Sequence, residues 1–132
     1  MKEKKIKVVT YLRVAANEQA SIFRKTEELR ELLSEHDDWE IVDQVYDYGV
    51  SGRKFERPGL NRVLELCKEK EVDMVVTLDS YMLARDVLVY KQIYTTVRDY
   101  GVELFISELK KKSKGQKKEH SNFLVRNLCT AV

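Results

Sequence analysis

At 132 residues, with 43% apolar and 35% charged side chains, the chain has the make-up of one globular domain with room for a two- or three-layer core. No apolar run approaches the roughly 20 residues a membrane span needs, and Met1-Lys2-Glu3-Lys4-Lys5 precedes no signal-peptide core, so the expected location is cytoplasmic with no membrane partner. The formal charge of +2 neither requires nor excludes a nucleic-acid partner.

Residues 6–12 are rich in β-branched side chains and read as a buried strand that ends at Arg13. Over residues 18–35, Ile22, Phe23, Leu29, Leu32 and Leu33 recur at helical spacing among charges, with Asn17 as the expected cap. Residues 39–46 form a second expected strand carrying Ile41, Val42 and Val45. The turn-rich loop Asp47-Tyr48-Gly49-Val50-Ser51-Gly52-Arg53 follows it. Pro58, the single proline, suits the first turn of a helix that carries Leu60, Val63, Leu64 and Cys67 at i, i+3, i+4 and i+7. Residues 74–78 read as a third strand. After another loop, Tyr90, Ile93, Tyr94 and Val97 repeat the helical spacing, Gly101 ends that helix, and residues 102–106 make a fourth strand.

Three strand-to-helix units and a last strand predict an α/β fold: a three-layer, mainly parallel sheet with helices on both faces. Beyond Ser107 the pattern weakens. Lys110, Lys111, Lys112, Lys114, Lys117 and Lys118 come first, and without these six the rest of the chain is net acidic. A lysine-rich stretch is most often a solvated loop; the sharper reading is an arm on DNA phosphates whose grip would fall with salt. Phe123, Leu124 and Leu128 then begin a helix. The expected division is a domain over residues 1–107 and a lysine-rich segment with the start of a pairing helix over residues 108–132.

Cys67 falls on the apolar side of a helical pattern and Cys129 is almost terminal. Neither belongs to a Cys-x-x-Cys or Cys/His cluster, so a buried thiol is expected and no metal or disulfide role is assigned. His36 and His120 stand in polar surroundings and read as exposed.

In parallel sheets the functional crevice lies beyond the carboxyl ends of the strands. Arg13 follows the first strand, Asp47 and Arg57 the second, and Arg85 the third, so all four belong to one edge. Guanidiniums there suit a phosphate, because arginine offers fixed, bidentate donors, and the start of the first helix adds backbone N–H groups. The plainer reading of each arginine taken singly is a surface ion pair.

Four motifs appear in order: Tyr11-Leu12-Arg13-Val14 with Gln19, Tyr46-Asp47-Tyr48-Gly49-Val50-Ser51-Gly52, Glu56-Arg57-Pro58-Gly59-Leu60, and Leu83-Ala84-Arg85-Asp86. With them, nearly the whole stretch 6–107 resembles the catalytic domain of the serine site-specific recombinases, the resolvase/invertase family. The resemblance implies a mainly parallel sheet with flanking helices, a later helix that pairs subunits into a dimer or tetramer, and a separate DNA-binding region. It implies a serine that attacks a DNA phosphodiester without metal or small-molecule cofactor and forms a phosphoserine link to the 5′ end. By position, Arg13, Arg57 and Arg85 would hold the phosphate, and Tyr11, Gln19 and Asp47 would organise the site. Such a division of labour suits phosphoryl transfer, where positioning and electrostatics carry most of the catalysis.

The chain departs from that pattern at the decisive place. The nucleophile position is Ala15, followed by Ala16 where the family has threonine, and Tyr81-Met82 stands where the family has an acidic or serine residue followed by arginine. Met82 therefore replaces a catalytic arginine. A methyl group cannot attack phosphorus, and a lost charged donor costs several kcal/mol of transition-state stabilisation, so no strand cleavage is expected. Met82 and Tyr81 also suit plain packing. Ser21, Ser51 and Ser80 are the nearest hydroxyls, and none has an adjacent base in the sequence. A single Ser→Ala exchange would account for Ala15 but not for Ala16, Tyr81 and Met82. The competing readings are a non-catalytic dimerisation or regulatory module, and a flavodoxin-like phosphate or flavin binder. The second is disfavoured because Ala15-Ala16-Asn17 lacks the Gly/Ser/Thr character of a phosphate cradle.

Overall fold

The structure, a computed structural model, describes residues 5–108. In chain order it has β1 (Ile6–Val14), a 3-10 turn (Ala16–Ser21), α1 (Ile22–Ser34), β2 (Trp39–Tyr48), α2 (Pro58–Lys68), β3 (Met74–Thr77), the short α3 (Ser80–Leu83), α4 (Val87–Asp99) and β4 (Glu103–Ile106). The strands form one sheet in the order β2-β1-β3-β4, every pair parallel. The expected α/β architecture is present: a parallel sheet with helices on both faces. The lysine stretch, His120, Cys129 and the apolar group from Phe123 lie outside the described residues.

Alternation along β1 divides the core. Val9 and Tyr11 point into a cluster with Leu60, Val63 and Cys67 of α2 and Val89, Ile93 and Val97 of α4. Val8 and Leu12 point the other way, toward Leu29 and Leu32 of α1, with Trp39, Met74, Val76 and Met82. A strand apolar on both faces must be central, and β1 is. Pro58 opens α2, where its missing N–H costs nothing. Gly101, at φ +81, follows α4 in the left-handed region expected of a helix-ending glycine.

The structure corrects four details. The chain after β1 first makes a 3-10 turn, so α1 begins at Ile22 with Ser21 rather than Asn17 at its cap position, and Ser21 makes no side-chain capping bond. Phe23, expected on the apolar face, is 74% exposed, because six residues before Leu29 and nine before Leu32 it falls off the helix face that those leucines turn to the sheet. β2 runs on to Tyr48 and takes Asp47 into the strand, opposite Arg13, where a loop was expected. His36 is half-buried: its ring stacks on Trp39 at 3.8 Å between centroids and meets Phe105 edge-on, a contact that its acidic sequence neighbours concealed.

Candidate phosphate-binding edge

The strand order reverses between β1 and β3, since the chain passes from β1 to β2 on one side and then back across to β3 on the other, and the carboxyl end of β1 lies between those of β2 and β3. A pocket of about 300 Å³ opens there, lined by Arg13, Ala15, Ala16, residues 49–53 and Arg85. Its walls come from the end of β1, the loop after β2 and the loop after β3, as the topology requires.

Beneath the pocket lies a buried polar lattice. Tyr11 donates its hydroxyl proton to Asp47 Oδ2 at 2.7 Å and accepts from Arg57 Nη1 at 3.2 Å. Burial, reinforced by the Asp47 hydrogen bond, pushes the Tyr11 hydroxyl well above its ordinary pKa, so it stays protonated. Asp47 also accepts the backbone N–H groups of Gly59 at 2.8 Å and Leu60 at 3.0 Å. The carboxylate thus caps α2 from outside, in place of the cap residue Arg57, whose side chain makes no such bond.

Arg57 is fully buried. Its guanidinium donates to the carbonyls of Lys54, Gly52, Met82 and Leu83 as well as to Tyr11. It ties the loop after β2 to the loop after β3 and is not among the residues lining the pocket. Arg13 sits higher: Nε donates to Met82 O at 3.2 Å, Nη1 to Val50 O at 2.9 Å and Nη2 to Tyr81 O at 2.6 Å, while the same guanidinium forms part of the pocket wall. Arg85 is exposed, lies over the Tyr81 ring at 5.3 Å from its centroid, and lines the pocket.

The structure therefore brings Arg13, Ala15 and Arg85 to one pocket, sets Tyr11, Asp47 and Arg57 as the frame below it, and carries Gln19 on the 3-10 turn just beyond Ala15. Arg53 joins the lining as an exposed cation that the pattern of the sequence did not single out. The turn ending in Gly52-Arg53 was its only signal. Gly52 itself is required by a close approach: a Cβ there would meet the Arg13 guanidinium and Arg85 Cγ at 2.9 Å. Met82 is 1% exposed and packs its sulfur 3.4 Å from the Thr77 hydroxyl. Of the three hydroxyls considered as substitutes, only Ser51 lines the pocket, and its Oγ accepts the Arg53 N–H at 3.0 Å. The described lining residues include no carboxylate or imidazole to act as a base.

The profile of the resolvase N-terminal domain matches residues 8–129. The chain belongs to this resolvase family. The resolvase fold is equally plain in solved structures: the N-terminal catalytic domain of TP901-1 integrase matches with a TM-score of 0.74 at 23% identity, over 95% of this chain and 93% of the other. A resolvase family site-specific recombinase from Streptococcus pneumoniae matches with 0.68 at 25% identity, over 92% and 85%. The C-terminal catalytic domain of ISC1926 TnpA, an IS607-like serine recombinase, matches with 0.67 at 21% identity, over 92% and 79%. Comparison with curated proteins gave no significant match. No helix among the described residues of this resolvase domain is long and apolar enough to cross a membrane.

Proposed function

We propose that this chain is a recombinase-type domain for site-specific DNA recombination, homo-oligomeric in its working form, that holds DNA phosphate but does not cleave the strand. The carrying observation is the composition of one pocket: Arg13, Arg53 and Arg85 on the wall, Ala15 in the nucleophile position among them. Three cations suit the phosphodiester, and the guanidinium planes suit its non-bridging oxygens. The methyl of Ala15 has neither a lone pair to attack phosphorus nor a proton to pass to the leaving 3′ oxygen. Residues 108–132, with their lysines, would extend this domain toward DNA and toward subunit pairing.

The test is covalent chemistry. Ala15→Ser, alone and with Met82→Arg, is placed in a chain supplied with a DNA-binding region, and denaturant-resistant protein–DNA adducts are sought. Adducts in either serine variant and none in the parent support a recombinase silenced at its nucleophile. Absence of adducts in both, with subunit association retained, favours the non-catalytic dimerisation or regulatory module. That second reading draws on the exposed Phe23, Tyr81, Val87 and Leu88, at 74%, 65%, 60% and 69% exposure.

A further inference from the structure

A second, smaller cavity of about 50 Å³ is lined by Arg13, Lys25, Asp79, Tyr81, Met82 and Arg85. Arg13 and Arg85 line both cavities, so the two share a wall of guanidinium. Met82 closes the inner side without a charge, its side chain turned into the core beside Leu12, Leu78 and Thr77.

Lys25 reaches this cavity from α1. It precedes Leu29 by four residues and Leu32 by seven, so it belongs to the helix face that packs on the sheet, one turn before the first buried leucine. A lysine on a core-facing stripe lays its stem along apolar surface and sends its ammonium to the nearest polar space. Here that space holds two arginines and one acid. The acid, Asp79, caps α3, its Oδ1 accepting the Met82 N–H at 3.0 Å, so with Lys25 three cationic side chains line the space against a single carboxylate.

We propose that Lys25 is an anion-contacting residue of the pocket, supplying from α1 the positive charge that position 82 does not. A phosphate seated between Arg13 and Arg85 would meet the Lys25 ammonium on the side where the Met82 side chain offers no charge. The substitution at 82 would then relocate a donor rather than simply delete it. This inference rests on the phosphate-binding reading above.

The experiment is calorimetric titration of the full chain with inorganic pyrophosphate at constant ionic strength, for the parent and for Lys25→Gln, Lys25→Arg and Arg85→Gln, with a thermal melt of each without ligand. A lost charge-assisted contact should weaken binding by about 10-fold in Lys25→Gln, while Lys25→Arg stays within about 2-fold of the parent. The ligand-free melting temperature of Lys25→Gln should match the parent. Pyrophosphate affinity equal to the parent in Lys25→Gln, with Arg85→Gln weakened, would overturn the role of Lys25 and leave the pocket standing. A lowered ligand-free melt in Lys25→Gln without a change in affinity would overturn it in favour of a structural pairing with Asp79. No binding by the parent would overturn both readings together.

Discussion

The Asp47 carboxylate accepts the backbone N–H of Gly59 at 2.8 Å, so the end of β2 caps the helix that begins after the pocket loop. The contact is close enough to dictate residue type, since a Cβ on Gly59 would lie 2.7 Å from Asp47 Cγ. Capping, the Tyr11 hydrogen bond and the closure of the pocket loop consequently depend on one carboxylate.

Gly59→Ala should therefore destabilise, although alanine is the better helix former. The carboxylate is held by three donors and cannot swing aside cheaply. Overpacking of about 1–3 kcal/mol outweighs a propensity gain of at most about 1 kcal/mol. Urea unfolding reads the difference. In a double-mutant cycle with Asp47→Ala, the alanine at 59 should cost clearly less than it does alone.

Arg57→Ala should cost about 3–5 kcal/mol, because it strands buried carbonyls and opens a cavity. Arg57→Lys should recover little, since an ammonium at one point cannot reach acceptors spread over Gly52, Lys54, Met82 and Leu83. A near-normal melting temperature in either variant would contradict the framing role of Arg57.

Tyr11 carries a pH signature. Its folded-state pKa is raised by burial and by Asp47, above the ordinary value near 10.0. The folded chain therefore keeps a proton that the unfolded chain releases, and the stabilisation is complete below about pH 10 and declines as pH rises beyond it. Tyr11→Phe should be less stable at neutral pH by about 1–2 kcal/mol, yet lose stability less steeply above about pH 10. Parallel stability curves for the two proteins in alkaline urea titrations would count against this.

Cys67 should be inert in the folded chain. It is fully buried among α2 and sheet side chains, and burial pushes its thiol up to about 11 from 9.0. At pH 8 that leaves roughly 100-fold less thiolate before access is counted. In a Cys129→Ser background, thiol-disulfide reagent should label Cys67 slowly in buffer and at once in urea; equal rates would sink the placement.

The reading of Ala15 as a nucleophile position came from the resemblance of its motif alone; local periodicity determined the alternation of strands and helices and, through it, the parallel sheet whose carboxyl edge carries Arg13 and Arg85. Those features repeat every two or every three to four residues, and a linear reading sees such periods. It could not see that Arg57 lies under the pocket rather than in it, that Arg53 takes a place on the rim, that Asp47 belongs to a strand and caps α2, or that Lys25 enters the cavity beside Met82. Each depends on partners far along the chain: Arg57 meets Leu83 across 26 positions, and Arg13 meets Met82 across 69. A buried guanidinium goes wherever unpaired carbonyls must be satisfied, and only the packed loops decide where that is.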